Sequence, residues 1–192
     1  MSNTKKIVTG AIMVALATVL SYIRIKWLPW GGSITILSML PIVVYSIKYG
    51  VKWGLAASFV FSLTQFIQGI TDGLFGWGLS TTMLIACIFL DYILAYTSIG
   101  IAGLFRKKGL CGWIAGTVIA LSTRFVLHII SGVVIWESAG KLWKGFSTTN
   151  SWLYSFLYNG SFMLPEIVFT TIAAVILFKL PQMKKLMIIE TK

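Results

Sequence analysis

The chain is poor in acidic residues, histidine and cysteine. Its 192 residues include 5 Asp or Glu, 1 His and 2 Cys, against 16 Lys or Arg. The cysteines, Cys87 and Cys111, match neither a metal-ligand spacing nor a redox motif. The sequence contains no HExxH motif, no nucleophile elbow and no Walker A sequence. It therefore gives no support for ATP hydrolysis by this chain, and little for metal-dependent or Ser–His catalysis.

Apolar sequence, by contrast, is abundant. Hydrophobic residues make up 57% of the chain and charged residues 11%, with a mean hydropathy of +0.89. A soluble domain of this length could not bury so much apolar surface. Apolar windows predict helices over about 6–24, 34–48, 51–70, 80–105, 110–136 and 152–180. We therefore predict an all-α integral membrane protein, with residues 1–192 forming a single membrane domain, a six-transmembrane-helix bundle.

The distribution of Lys and Arg predicts the orientation of the bundle. Eleven of these residues fall on one side of the predicted membrane, at 5, 6, 48, 52, 106–108, 179, 184, 185 and 192. Four fall on the other side, at 24, 26, 141 and 144, and Arg124 lies within a span. The positive-inside rule then places both termini in the cytoplasm. The net charge of +11 has the same origin, so we expect the lipid bilayer and not nucleic acid as the partner.

Tryptophan is concentrated on the predicted outer side. Six of the eight tryptophans lie there, at positions 27, 30, 77, 136, 143 and 152. Membrane proteins routinely carry a belt of interfacial tryptophans, but a symmetric belt would divide them evenly between the two sides. A binding site that opens outward and uses aromatic faces would explain the excess.

Four ionisable residues fall within predicted spans, where an unpaired charge is costly. They are Asp91, Arg124, His128 and Glu166. We predict that Arg124 forms an ion pair with Glu166 or with Asp91. Because Glu166 lies deeper in its helix, Asp91 is the only carboxylate that we expect in the outer half of the pocket.

Arg124, His128, Gly132 and Trp136 recur at every fourth residue, which places them in one slanting stripe along a helix. His128 can donate or accept a hydrogen bond, and Trp136 can cover a ring. Gly132 either leaves a notch for a flat ligand or permits close helix packing, and the sequence does not decide between the two.

Two further helices carry polar side chains at matching depth. Asp91 and Tyr92 lie together in one of them, and Tyr154, Tyr158 and Asn159 lie in the outer half of the last. These groups would line a pocket for a small, flat molecule that forms hydrogen bonds. A carboxylate among indole faces also suits a positive charge.

Three short segments together resemble one known family. They are "LDYILA", the His128, Gly132 and Trp136 spacing, and Tyr154 followed by Asn159-Gly160. With these motifs the chain resembles, over nearly its whole length, the thiamine-specific substrate-binding (S) component of the energy-coupling factor (ECF) transporters of prokaryotic cell membranes. The resemblance implies thiamine as ligand and no cofactor. By this resemblance, the residues expected to contact the ligand are Trp30 (or Trp27), Asp91, Tyr92, His128, Gly132, Trp136, Tyr154 and Asn159.

The resemblance also implies partner proteins, namely an ECF membrane scaffold subunit and two cytoplasmic ATPases. Ala11 and Ala15 match the family's A-x-x-x-A docking motif, although packing of small residues within the chain would give the same spacing. Two departures from the family's sequence pattern leave the identity of the ligand undecided. Asp91 stands where the family has Glu, and a family Trp on the third helix has no clear counterpart, with Gln65 or Phe61 in that space.

Three alternative functions therefore remain. The chain could be an S component for a thiamine precursor or a related heterocycle. It could be an integral membrane enzyme that uses Asp91 and His128 as acid and base, which would require both groups to reach the substrate. It could also be a self-contained secondary transporter, although the sequence shows no inverted repeat.

Overall fold

The computed structural model describes residues 2–26, 28, 31–137, 140–143 and 145–187, and only the backbone of Trp143. A π-helical segment (Ile88–Leu94) joins α4 to α5, and a 3-10 segment (Ser98–Lys108) follows α5. Residues 81–108 therefore form one continuous stretch, the 81–108 rod, with a kink near its end at Phe105. The α-helices are α1 (Asn3–Tyr22), α2 (Leu40–Tyr49), α3 (Val51–Thr71), α4 (Thr81–Cys87), α5 (Ala95–Thr97), α6 (Gly109–Val134), α7 (Ser151–Lys179) and α8 (Pro181–Met187).

The 81–108 rod and α6 form an antiparallel helical hairpin. The chain reverses at Gly109, whose positive φ of 63° suits glycine. Trp113 Nε1 donates a hydrogen bond to the Arg106 carbonyl at 2.8 Å, and Gly116 packs directly against the Ala102 carbonyl. In both contacts the paired residues lie at nearly equal distances along the chain before and after this turn. The same pairing, continued away from the turn, brings Asp91 beside His128.

Four helical stretches of the described chain are long and apolar enough to cross a membrane. They are Asn3–Tyr22, Val51–Thr71, Thr81–Val134 and Ser151–Lys179. The third of them, with 54 residues, contains the hairpin and so consists of two antiparallel rods. The shorter apolar helix α2 has 10 residues. All six predicted helices are present, and α8 is an additional short helix that the hydropathy pattern did not predict.

The second predicted helix begins later than expected, and the prediction of residues 34–39 as helical was wrong. Residues Ser33–Thr35 form strand β2, which pairs antiparallel with β1 (Arg24–Lys26). Leu37 then adopts a left-handed backbone with φ of 57°, which cannot continue into a helix. Helix α2 starts at Leu40, with Pro41 in its first turn, where a missing N–H costs nothing.

A second antiparallel hairpin, β3 (Gly140–Trp143) with β4 (Phe146–Thr148), lies between α6 and α7. Neither hairpin was predicted from the sequence. Both belong to the predicted outer loops, and polar side chains cap the helices that start on this side. Asn150 Oδ1 accepts from Leu153 N of α7 at 3.0 Å, and Ser80 Oγ accepts from Met83 N of α4 at 3.3 Å.

The largest hydrophobic cluster and the buried ionisable side chains occupy different parts of the bundle. On α6, core residues lie at 113–121 and polar buried residues at 124–131; on α7, core residues lie at 174–178 and Asn159 and Glu166 lie nearer the other end. Large apolar side chains cover the outside of the helices, for example Ile85 and Phe89 on the 81–108 rod and Val168 and Phe169 on α7. Such an outer surface is typical of helices that face lipid.

Candidate functional site

A cavity of about 370 Å³ opens at the end of the bundle that carries the β-hairpins. Its volume is within the range of pockets that hold small molecules. Seven of the eight residues predicted to contact ligand line it, and they come from the 81–108 rod, α6 and α7. They are Asp91, Tyr92, His128, Gly132, Trp136, Tyr154 and Asn159. Trp30, and its alternative Trp27, lie outside the described residues. That these residues bind a ligand stays a prediction.

Asp91 is the centre of a hydrogen-bond cluster inside this cavity. Its Oδ1 lies 2.8 Å from His128 Nδ1, and its Oδ2 accepts from Ser131 Oγ and, at 3.4 Å, from Cys87 Sγ. Asp91 lies in the π-helical segment Ile88–Leu94, a widened helical turn that often occurs at functional sites. The Asp91 carboxyl group is therefore held in place by His128, Ser131 and Cys87, and it has no ion pair with a Lys or Arg of the described chain.

The contact with Asp91 also defines the chemistry of the His128 ring. A carboxylate accepts hydrogen bonds, so of the two neutral tautomers it favours the one that has its proton on Nδ1 and leaves Nε2 as an acceptor. Nε2 is buried and has no hydrogen-bond partner among the described residues. A buried polar atom is normally paired, so a ligand donor is expected at Nε2.

Gly132 faces α7 at close range. A methyl group on residue 132 would overlap the Ser155 side chain, so glycine is needed for the two helices to approach. This contact favours the close-packing interpretation of Gly132 over a notch for a flat ligand. Nearby, Asn159 Nδ2 donates to the His128 carbonyl at 3.1 Å and to the Ser155 carbonyl at 2.9 Å, which ties α7 to α6 behind the imidazole.

Aromatic side chains surround the outer part of the cavity. Trp136, at the end of α6, lies 5.6 Å from Trp77 between ring centroids, with the rings tilted by 55°. Trp77 comes from the loop between α3 and α4 and also lines the cavity. Tyr154 and Tyr158 of α7 stack at 6.3 Å. Trp152 is 60% exposed and is not among the lining residues, so it fits the interfacial belt instead.

Helix α3 contributes amides to the cavity wall. Gln65 lines the cavity, whereas Phe61 is fully buried in the core against Tyr96. Of the two residues proposed for the space of the family's third-helix Trp, only Gln65 therefore reaches the cavity. Tyr92 packs against Gly69 of α3, where any side chain would overlap its hydroxyl group.

Arg124 pairs with Glu166 and not with Asp91. The distance from Arg124 Nη1 to Glu166 Oε2 is 3.5 Å, and both side chains are buried. The Arg124 guanidinium also lies 4.1 Å from the centre of the Tyr96 ring, and Glu166 Oε1 accepts from Thr35 N and Thr35 Oγ1, each at 2.5 Å. The ion pair thus joins α6, α7 and the β1–β2 hairpin at the inner end of the cavity.

A second ion pair, at the mouth of the cavity, was not predicted. Arg24 Nη1 and Lys26 Nζ of β1 each lie 2.6 Å from a carboxylate oxygen of Asp72, which follows α3. Burial alone would raise the pKa of Asp72, but the hydrogen bonds and charges of Lys26 and Arg24 outweigh it and hold that pKa below its ordinary value. Asp72 is therefore ionised at neutral pH, and its contacts fasten the β1–β2 hairpin to α3.

The expectation that Asp91 is the only carboxylate in the outer half was wrong. Asp72 and Glu137 also line the cavity. Both residues lie in connecting segments, where helical periodicity cannot predict which side chains face the cavity. Ser131 and Cys87 could have been found, because Ser131 lies three residues after His128 and Cys87 four residues before Asp91, each on the same helix face.

Comparison with known proteins places the chain in a family. Residues 7–186 match the family model described as thiamine transporter protein (Thia_YuaJ). The chain belongs to this thiamine transporter family. It is 32% identical over 187 residues to "Thiamine transporter ThiT" of Bacillus subtilis (strain 168), a match that covers 90% of each protein. It is 29% identical over 195 residues to the protein of the same name from Lacticaseibacillus paracasei, covering 92% of this chain and 89% of that one.

A solved structure of a protein of this family shares the fold. The structure, of ThiT from Listeria monocytogenes, superposes with a TM-score of 0.74 over 96% of this chain and 97% of that chain. At 23% sequence identity, this match supports the fold alone. The resemblance that the three sequence motifs indicated is confirmed at the level of the family.

Proposed function

We propose that this chain is the thiamine-binding S component of an ECF-type uptake transporter, a multi-pass protein of a prokaryotic cell membrane without an ATPase of its own. The observation that carries the proposal is that seven residues from three helices, selected from the sequence for thiamine contact, line one cavity. Membership of the thiamine transporter family and the names of the relatives support the choice of ligand.

The chemistry of the cavity suits thiamine. Its aminopyrimidine carries an exocyclic amino group, which can donate a hydrogen bond to the unpartnered His128 Nε2. Its thiazolium ring carries a permanent positive charge, which the Asp91 carboxylate partly offsets. Two flat rings also suit the indole face of Trp136. Asp91 then acts both directly, through its charge, and indirectly, by orienting His128.

Stacking on Trp136 gives a first testable consequence. Replacing Trp136 with Ala is expected to cost about 1–3 kcal/mol of thiamine binding, by analogy with bases that stack on aromatic side chains. The measurement is an equilibrium titration of the purified variant, followed by the quenching of the remaining tryptophan emission. Trp152→Ala is the matched control, because Trp152 is exposed and is not among the lining residues. Unchanged affinity in folded Trp136→Ala would refute the stacking role.

For the orientation, we propose six membrane crossings with both termini in the cytoplasm. The stretch Thr81–Val134 contains two antiparallel rods and so crosses twice. Together with one crossing each by α1, α2, α3 and α7, this gives six. The proposal predicts that a reporter cysteine is labelled only from the cytoplasm at Lys108→Cys or Lys185→Cys, and only from outside at Lys144→Cys. Lys144 lies outside the described residues. Labelling of position 108 from outside would move the cavity to the wrong side of the membrane.

We propose that the scaffold subunit docks on α1, at Ala11 and Ala15, and that the two ATPases act through it. Both alanines are exposed, while the buried side of α1 is formed by Gly10, Val14, Ala17 and Ser21. The surface around these alanines is therefore free to meet another membrane helix.

Adding bulk at the two alanines tests the docking surface. Ala11→Trp combined with Ala15→Trp is expected to block assembly with the scaffold by steric overlap and to spare thiamine binding. Ile172→Trp is the control, since Ile172 is an exposed apolar residue of α7. Co-purification with the scaffold measures assembly, and a titration measures binding. If both were lost together, the alanines would have a structural role within the chain instead.

Native mass spectrometry of the detergent-purified protein tests the proposed function. We expect thiamine to be recovered unchanged, with one molecule per chain. If a precursor or another heterocycle were recovered instead, the chain would still be an S component, but for a different ligand. A chemically altered product would favour the enzyme hypothesis, for which the Asp91–His128 contact is the supporting observation. Thiamine uptake in cells that lack the scaffold and ATPases would instead indicate a secondary transporter.

A further inference from the structure

Glu137 has a conformation that is unusual for its residue type. Its φ is 43°, in the left-handed region that favours glycine, and Leu37 is the other non-glycine residue of the described chain with a positive φ. Glu137 lies two residues beyond the capping residue Ile135 of α6, at the end of the stripe that contains His128 and Trp136. It is exposed, and it lines the mouth of the cavity. Strained residues cluster at functional sites, where the surrounding structure holds them in place.

The charges around the cavity single out the same residue. Of the charged side chains that line it, Arg24 is paired with Asp72, and Arg124 is paired with Glu166 behind the wall. Asp91 contacts His128 and Ser131, and it has no ion pair with a Lys or Arg among the described residues. Glu137 has no ion pair with any cation of the described chain. Two carboxylates therefore face the cavity without a Lys or Arg partner in the described part of the chain, Glu137 at the mouth and Asp91 further in.

The two carboxylates lie at different depths. Asp91 contacts His128, which is six residues before the end of α6 at Val134, or about 9 Å along the helix at 1.5 Å per residue, and Glu137 lies beyond that end. A cation that enters from the outer side meets the charge of Glu137 first and that of Asp91 later. A negative charge at the mouth of a cleft attracts an approaching cation and raises the rate of association.

We propose that Glu137 is a specificity-determining residue that selects ligands with a permanent positive charge as they enter the cavity. The inference rests on the proposed function, since it takes a cationic heterocycle as the ligand. Glu137 acts by charge and not by shape, because a quaternary ring nitrogen has no hydrogen to donate. Glu137 lines the cavity from just beyond the end of α6, next to Trp136.

The test compares thiamine with its neutral thiophene analogue, in which carbon replaces the charged ring nitrogen. Association rates and affinities of both are measured for the parent, Glu137→Gln and Glu137→Asp, at low and high salt. Glu137→Gln should weaken or slow thiamine binding by about three- to tenfold at low salt, with the neutral analogue unaffected. Glu137→Asp should retain the preference for the cation, and high salt should reduce the difference between parent and Glu137→Gln.

Lys141→Gln is the matched control. Lys141 is exposed on β3 in the same outer segment and does not line the cavity, so this variant changes the local charge by one unit, in the opposite direction, away from the cavity. It should leave the ratio of thiamine to analogue affinity unchanged. The proposal would be overturned if Glu137→Gln weakened both ligands equally, if it changed neither, or if Lys141→Gln altered the ratio as much. If the parent did not bind thiamine at all, the proposed function itself would fail.

Discussion

Replacing Asp91 with Asn is expected to weaken thiamine binding by about 10- to 150-fold, the equivalent of one charge-assisted hydrogen bond. The change removes the carboxylate charge that offsets the thiazolium ring. It also replaces the acceptor of His128 Nδ1 with an amide, which no longer enforces the tautomer that leaves Nε2 free to accept. Two contributions to binding are lost together, so this substitution should have the largest effect of any on affinity.

Asp91→Glu is the matched comparison, because it keeps the charge and supplies the longer side chain that the family carries. It should weaken binding much less than Asp91→Asn. Calorimetric titration of each variant gives the affinities, and a thermal unfolding curve shows that each is folded. If Asp91→Asn bound thiamine as tightly as the parent, Asp91 would have no role in ligand binding, and the choice of thiamine would rest on the motifs and the family alone.

Replacing Glu166 with Gln is expected to destabilise the fold by about 3–5 kcal/mol, because it leaves the buried Arg124 without its counter-charge. The amide also accepts less well from Thr35 N and Thr35 Oγ1, which weakens the contact between α7 and the β1–β2 hairpin. The measurement is the loss of thermal stability in detergent, without ligand.

A second variant distinguishes the ion pair from other causes. Combining Glu166→Gln with Arg124→Met removes both charges and should recover much of the lost stability, since no unpaired buried charge remains. Glu137→Gln removes a carboxylate of the same type at an exposed position and should leave the unfolding temperature unchanged. Equal unfolding temperatures for the parent and Glu166→Gln would show that the Arg124–Glu166 contact does not support the fold.

The helices and the residues on their faces could be predicted because helical geometry is regular. The 3.6-residue period fixes which side chains share a face, and it placed Arg124, His128 and Trp136 on one stripe, all of which line the cavity. The register of the helical hairpin is defined by its turn at Gly109, and it brings Asp91 to His128, a contact that was not predicted. The family resemblance then supplied the role of each residue, which periodicity alone does not contain.

The outer segments could not be predicted, because they lack such a period. The clamp of Arg24 and Lys26 on Asp72 joins residues that are 48 and 46 positions apart, through a β-hairpin with no strong strand pattern. Trp77 reaches Trp136 from a loop, and the positive φ of Glu137 occurs in a residue type that rarely adopts it. The π-helical turn around Asp91 likewise has no sequence signature. These features arise from tertiary contacts and not from local preference.

Direct titration of thiamine into the purified, ligand-free protein tests the central proposal, that the outer cavity is a thiamine site. We expect binding of one thiamine per chain, with quenching of the tryptophan emission as Trp136 is covered. The neutral thiophene analogue should bind more weakly, because it lacks the positive charge that Asp91 and Glu137 attract. If the folded protein gave neither a binding heat nor a fluorescence change with thiamine, the assignment of this cavity to thiamine would be contradicted.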